Sequence, residues 1–268
     1  MSISVESVKL PGFSMDYIRF GGGPKTLVIL PGLSVKSVMG SADAIAEAYS
    51  VMTKRYTVFL FDRRRGLPDV YTISDMARDT AEAMKELGIF GADVFGASQG
   101  GMIAMELAIR YPKLVRALAL GSTAARVGEK REGVIGRWIS YAKAGDARSL
   151  WLDFGESLYP RDVFLGSRDA LISAADTTTD DELMRFVILA SGTRDFDVTG
   201  SLDKIKCPVL LLSSDDDNVI GGDAGDEIAQ KLGGRPDFER FVYSGYGHAA
   251  FDTAPDYKER LLSFFERF

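Results

Sequence analysis

The sequence predicts an α/β fold: a mostly parallel sheet with helices on both faces and a helical insertion over one rim. Three observations carry this. Short apolar, β-rich runs alternate with helical patterns along much of the chain. The runs are continuously apolar, as strands buried on both faces must be. The alternation then stops between about Thr123 and Ser201 and resumes afterwards.

Taken in order, Ser4–Leu10 and Met15–Phe20 read as a hairpin at the sheet's edge. Thr26–Leu30 is a buried strand ended by Pro31-Gly32. Residues 41–54 carry Ala44, Ile45, Ala48, Val51 and Met52 at helical spacing. Thr57–Phe61 is the next strand, stopped by Asp62 and a run of arginines. Ser74 is read as the N-cap of a helix through Leu87, ended by Gly88. Asp93–Gly96 forms a strand that runs into a small-residue turn. Gln99–Tyr111 is helical and closed by Pro112, and Val115–Gly121 is a further strand.

The stretch 123–201 has helical patterning and many aromatics (Trp138, Tyr141, Trp151, Phe154, Tyr159, Phe164, Phe186) but no clear strand. A structureless loop of that length is implausible, so it is read as a helical insertion whose aromatics mostly pack and partly wall a pocket. Pro208–Ser213, a helix around Asp226–Leu232, a strand near Phe238–Tyr243 and a helix from Asp256 to Arg267 complete the pattern. The division is a core of 1–122 and 202–268 with an inserted segment of 123–201. Gly21-Gly22-Gly23-Pro24 leads into a strand, so no helix N-terminus awaits a phosphate there, and it is read as a hairpin turn.

Composition narrows the function. The 268 residues suit one large domain, or a core with a subdomain. A net charge of -6 offers no basic field for a nucleic-acid backbone. The single cysteine, Cys207, excludes an intramolecular disulfide and a cysteine-cluster metal site. The start, M-S-I-S-V-E-S-V-K-L, has no apolar h-region, and no run approaches the ~20 apolar residues of a membrane helix. A cytoplasmic protein acting on a small molecule, with neither nucleic acid nor membrane as partner, is the expectation.

Right-handed crossovers place the strand C-termini on one rim, where chemistry is expected. Gly96-Ala97-Ser98-Gln99-Gly100 lies there, between a strand and an apolar helix. Small residues two before and two after a serine let the backbone close into a tight turn that thrusts the hydroxyl outward. A serine hydroxyl needs a base to become a nucleophile, and His248 is the only histidine. It follows the last strand, on the same rim. A carboxylate must orient the imidazole; Asp215, Asp216 and Asp217 follow the preceding strand, in the chain order Ser, Asp, His.

With these motifs the chain resembles the α/β-hydrolase superfamily over nearly its whole length. The resemblance is to its capped single-domain serine hydrolases: esterases, C–C bond hydrolases and cofactor-free haloperoxidases. In that family the acid stands nine positions after the proline that opens its strand, as Asp217 stands to Pro208. Asp62-Arg63-Arg64-Arg65-Gly66 resembles the family's D-x-R-G turn; the arginines are read as a solvated, positive turn. The oxyanion hole is expected from the backbone amides of Gln99 and Leu33, with Ser34 as an alternative to Leu33. Pro31 stands where similar proteins carry histidine.

The implied activity is hydrolysis of a small or medium hydrophobic carboxylic ester through an acyl-enzyme, with no cofactor or metal. Perhydrolase or haloperoxidase-like chemistry, C–C hydrolysis and a low-turnover ligand sensor are the alternatives. A serine at the turn, rather than an aspartate, argues against haloalkane dehalogenation.

Overall fold

The structure, a computed structural model, describes residues 3–268, and residues 129–132 by their backbone alone. The chain starts as an antiparallel hairpin of β1 (Val5–Leu10) and β2 (Phe13–Gly21). Alternation follows: β3 (Lys25–Leu30), α1 (Ala42–Ala48), β4 (Tyr56–Arg64), α2 (Ile73–Glu86), β5 (Ala92–Ala97), α3 (Gln99–Arg110) and β6 (Val115–Gly121). Four helices, α4 (Glu129–Lys143), α5 (Ala147–Leu158), α6 (Arg161–Asp176) and α7 (Asp180–Ser191), then separate β6 from β7 (Val209–Ser214). The chain closes with α8 (Asp226–Leu232), β8 (Phe238–Tyr243), α9 (Ala250–Thr253) and α10 (Tyr257–Phe265).

The eight strands form one sheet in the order β1-β2-β4-β3-β5-β6-β7-β8, parallel from β4 onward. β3 steps to β4 on one side, and the next crossover returns past β3 to β5. The strand order reverses there, so the loops leaving the C-terminal ends of β3 and β5 part and leave a crevice. Pro31-Gly32 and Ser98 occupy those two ends.

Strand periodicity builds two cores from one apolar run. In Leu27-Val28-Ile29-Leu30, Leu27 and Ile29 face a layer with Met52, Tyr257, Phe264 and Phe265. Val28 and Leu30 face the other layer, with Met76, Ile103, Leu107 and Ile228. Burying each such side chain contributes roughly 1.5–3 kcal/mol. A third cluster, with Trp138, Phe154 and Phe186, packs the inserted helices against Val35, Val219 and Ile220 of the rim loops. Among the described residues no helix is long and apolar enough to cross a membrane.

Three local expectations are corrected. Thr72, not Ser74, caps α2: its hydroxyl accepts from the Asp75 amide while Asp75 accepts from the Thr72 amide, a reciprocal pair that fixes the helix start two residues earlier. Gly21–Pro24 is not a hairpin turn, because β2 pairs with β4 rather than β3. It instead carries the chain past Arg55 and Tyr56, where a Cβ on Gly23 would lie 2.0 Å from the Arg55 carbonyl carbon. Finally, β4 does not stop at Phe61; pairing of Met15 with Arg64 extends it through the arginines.

Candidate active site

Ser98 joins β5 to α3 with φ 52° and ψ −120°, a conformation that costs a non-glycine residue about 1–3 kcal/mol. Its glycine neighbours let the turn form. A Cβ on Gly100 would fall 1.9 Å from the Leu30 carbonyl oxygen, and one on Gly96 would fall 2.3 Å from the Gly100 oxygen. The Ser98 amide donates to the Gly121 carbonyl at 2.8 Å, and the Thr123 hydroxyl donates to the Ser98 carbonyl at 2.7 Å. Across the crevice sits Gly32, where a Cβ would lie 3.2 Å from the Ser98 Cβ.

His248 follows β8 through Gly245 and Gly247, both at positive φ (81° and 61°). Its Nδ1 lies 2.7 Å from Asp217 Oδ2, and both residues are buried. The other Asp217 oxygen accepts the amides of Val219 and Ile220, each at 2.9 Å. Three hydrogen bonds thus compensate a carboxylate taken out of water. The contact engages Nδ1 and leaves Nε2 as the ring nitrogen free of Asp217. The neighbouring acids diverge: Asp215 accepts from the Ser244 hydroxyl, and Asp216 from the Gly247 amide at 3.1 and 3.2 Å. Ser98 Oγ itself has no hydrogen bond to a described residue, His248 included.

The amides of Leu33 and Gln99 have no acceptor among the described residues. Gln99 opens α3, so its N–H is one of the unmet donors at a helix start, where the dipole favours negative charge.

The arginine run is not a solvated turn. Arg63 is buried, and burial lowers its guanidinium to about 10, although Asp62 pulls the other way. Its Nη2 donates to the Pro31 carbonyl at 2.7 Å and to Gln99 Oε1 at 3.1 Å. Gln99 Nε2 in turn donates to the Leu189 carbonyl of α7 at 2.7 Å. Asp62 accepts from Ser37 at 2.5 Å and from Arg185 of α7 at 2.6 Å. Arg64 lies over the Phe13 ring at 4.5 Å, and only Arg65 faces outward, toward Asp16. Sequence reasoning missed Arg63 because a D-R-R-R-G string has the composition of a polar turn; only the pairing of β2 with β4 reveals a buried strand end.

A cavity of about 280 Å³ adjoins the Ser98 turn. Pro31–Ser34, Ala97, Tyr49 just past α1, Phe154 of α5, Tyr159 and Asp252 are among its walls. Of the aromatics singled out in 123–201, Phe154 and Tyr159 reach it. Trp138 and Phe186 are buried in packing, the Trp138 ring 4.6 Å from that of Phe154.

A family model described as alpha/beta hydrolase fold matches residues 25–255. A protein of Escherichia coli O81 (strain ED1a) named "Putative carbamate hydrolase RutD" is 26% identical over 249 residues, 88% of this chain and 89% of that protein. Among solved structures, MGS-M2, an alpha/beta hydrolase enzyme from a Medee basin deep-sea metagenome library, superposes with a TM-score of 0.85. It is 21% identical, with 98% of this chain and 97% of that one covered. The enol-lactonase from Burkholderia xenovorans LB400 superposes with a TM-score of 0.83 at 18% identity, covering 97% of this chain and 100% of that one. At these identities the superpositions speak to fold.

Proposed function

This chain belongs to the α/β-hydrolase family, and from that premise we propose that it is a serine hydrolase of small or medium apolar carboxylic esters. Ser98 is the nucleophile, His248 the general base and acid, and Asp217 the carboxylate that orients the imidazole. The observation that carries the reading is the 2.7 Å contact from His248 Nδ1 to a doubly anchored Asp217, on the rim where Ser98 holds a strained turn.

In the first half-reaction His248 Nε2 takes the Ser98 proton as the oxygen adds to the ester carbonyl. The contact between them tightens when substrate arrives, as catalytic hydrogen bonds commonly do. The amides of Leu33 and Gln99 receive the oxyanion, a stabilisation for which one donor typically accounts for about 10²–10³ in kcat. The protonated imidazole then gives its proton to the leaving alkoxide. In the second half the same nitrogen deprotonates water, which releases the acid and frees Ser98. Every charge that develops is met by a fixed group, so neither metal nor cofactor enters these steps.

The helical segment between β6 and β7 serves as a cap that sets specificity, with Phe154 and Tyr159 bringing it to the cavity. The largely apolar cavity supports an apolar acyl or alcohol group. An enol-lactonase among the similar structures supports ester chemistry, since a lactone is a cyclic ester. Hydrolysis of p-nitrophenyl butyrate tests the reading. Ser98→Ala is expected to lower kcat/KM by at least ~10³-fold; a variant that keeps its rate would overturn it.

A further inference from the structure

The cavity beside Ser98 is largely apolar, with hydroxyls of Ser34, Ser41 and Tyr49 among its lining residues and one carboxylate, Asp252. Tyr159, just past the end of α5, donates its hydroxyl to Asp252 of α9 at 3.2 Å. Both residues line the cavity together with Pro31–Ser34 and Ala97. Asp252 is accessible, yet crowded by protein atoms. That crowding pushes its carboxyl above the ordinary range, against the pull of Lys258, Tyr159 and His248. Burial likewise pushes the Tyr159 phenol up, so it keeps its proton.

That proton is already given to Asp252. What this pair has left to offer is therefore acceptors: the second Asp252 oxygen and the phenol lone pairs. Lys258 does not consume them. Its ammonium donates to the Phe251 carbonyl, and among the described residues it forms no ion pair with Asp252. Ester hydrolysis at Ser98 needs neither acceptor.

We propose that Asp252 and Tyr159 form a recognition site for a hydrogen-bond donor on the substrate, best met by a protonated amine, carried on the group that fills this cavity. An ammonium supplies several donors to two acceptors and gains charge assistance from the carboxylate. A carboxylate at the same place would be repelled. The inference deepens the serine-hydrolase reading and rests on it.

The test uses two p-nitrophenyl esters of nearly identical shape, of 4-(aminomethyl)benzoic and 4-ethylbenzoic acid, with the full-length protein. The ratio of their kcat/KM values cancels any loss of active enzyme. The wild type is expected to favour the aminomethyl ester by at least ~10-fold, since a site built for a donor discriminates against its apolar isostere. Asp252→Asn and Tyr159→Phe are each expected to lower that ratio several-fold, the second keeping the ring and its packing. A wild-type ratio near one, or a ratio that Asp252→Asn leaves unchanged, overturns the proposal. Fluorophosphonate labelling of Ser98 runs alongside. Labelling with a flat ratio sinks only the amine site, whereas no labelling of folded protein sinks the parent reading and this one with it.

Discussion

Arg63 donates from a single nitrogen to two acceptors, the Pro31 carbonyl at 2.7 Å and the Gln99 side-chain oxygen at 3.1 Å. The first lies in the loop after β3, the second at the start of α3. Fixing the Pro31 carbonyl fixes the peptide plane that leads into Gly32 and Leu33. Fixing Gln99 steadies the turn that carries its own amide. One buried guanidinium thus sets the spacing of the two proposed oxyanion donors. Arg63→Met is expected to lower kcat by about 10–100-fold with a smaller change in KM, the signature of a misplaced transition-state contact. Arg63→Lys, which keeps the charge but not the planar fork, should recover only part of the rate. Equal loss in folded-protein yield and in rate, at unchanged kcat per active site, would make Arg63 structural only.

The Asp62–Arg185 pair ties the end of β4 to α7 of the inserted segment at 2.6 Å, with little of either side chain exposed. Arg185→Met removes the charged partner and leaves the carboxylate with only the Ser37 hydroxyl and the Arg63 amide. A cost of about 2 kcal/mol is expected, a value discounted for partial exposure, which corresponds to roughly 5 °C in Tm for a chain of this size. Asp62→Asn combined with Arg185→Met should cost less than the two single changes added. Strict additivity in thermal melts would mean that the pair carries no coupling.

The start of α2 carries a pH signature. Burial pushes the Asp75 carboxyl up, but bonds from the Thr72 hydroxyl and amide and the charge of Arg78 outweigh it, and the net position is below the ordinary range. A carboxyl lowered in the folded state adds stability above its unfolded value of about 3.9, and that stability is lost as pH falls through the folded value. Thr72→Ala is expected to cost about 1 kcal/mol at pH 7. The stability gap between wild type and Asp75→Asn should be open at pH 6 and close below about pH 4. Denaturant melts at the two pH values check it; a gap that widens in acid contradicts the assignment.

Cys207 is partly buried, and burial pushes its thiol up to about 11. At pH 8 the thiolate fraction is then on the order of 10⁻³, and the thiolate is the reactive form. Ellman's reagent should modify the native protein slowly at pH 8, faster as pH rises toward 11, and at once in denaturant. Rapid native labelling at pH 8 would refute the burial argument.

Most of the architecture was legible because buried parallel strands write themselves as continuous apolar runs. Leu27–Leu30 and Val209–Leu212 needed only their residue types and their bounding turns. The Ser98 turn was legible for the same reason: Gly96 and Gly100 are demanded by backbone contacts that no side chain tolerates. What the sequence hid depends on partners remote in the chain. Arg63 finds its acceptors 32 and 36 residues away, and Asp62 meets Arg185 123 residues away. A polar string cannot announce which of its members a later helix will bury. The Thr72 cap was hidden differently, since Thr72 and Ser74 are both capping residue types, serine the more favoured, and the reciprocal bond with Asp75 decides for Thr72.

The central claim is that Ser98 is activated by His248, and the most direct test is labelling with a fluorophosphonate probe, located by peptide mass spectrometry. The account predicts rapid adduct formation on Ser98 in the wild type, none in Ser98→Ala and a rate reduced by at least ~10²-fold in His248→Ala. Folded wild-type protein that takes no label, or that labels equally fast without His248, would contradict it.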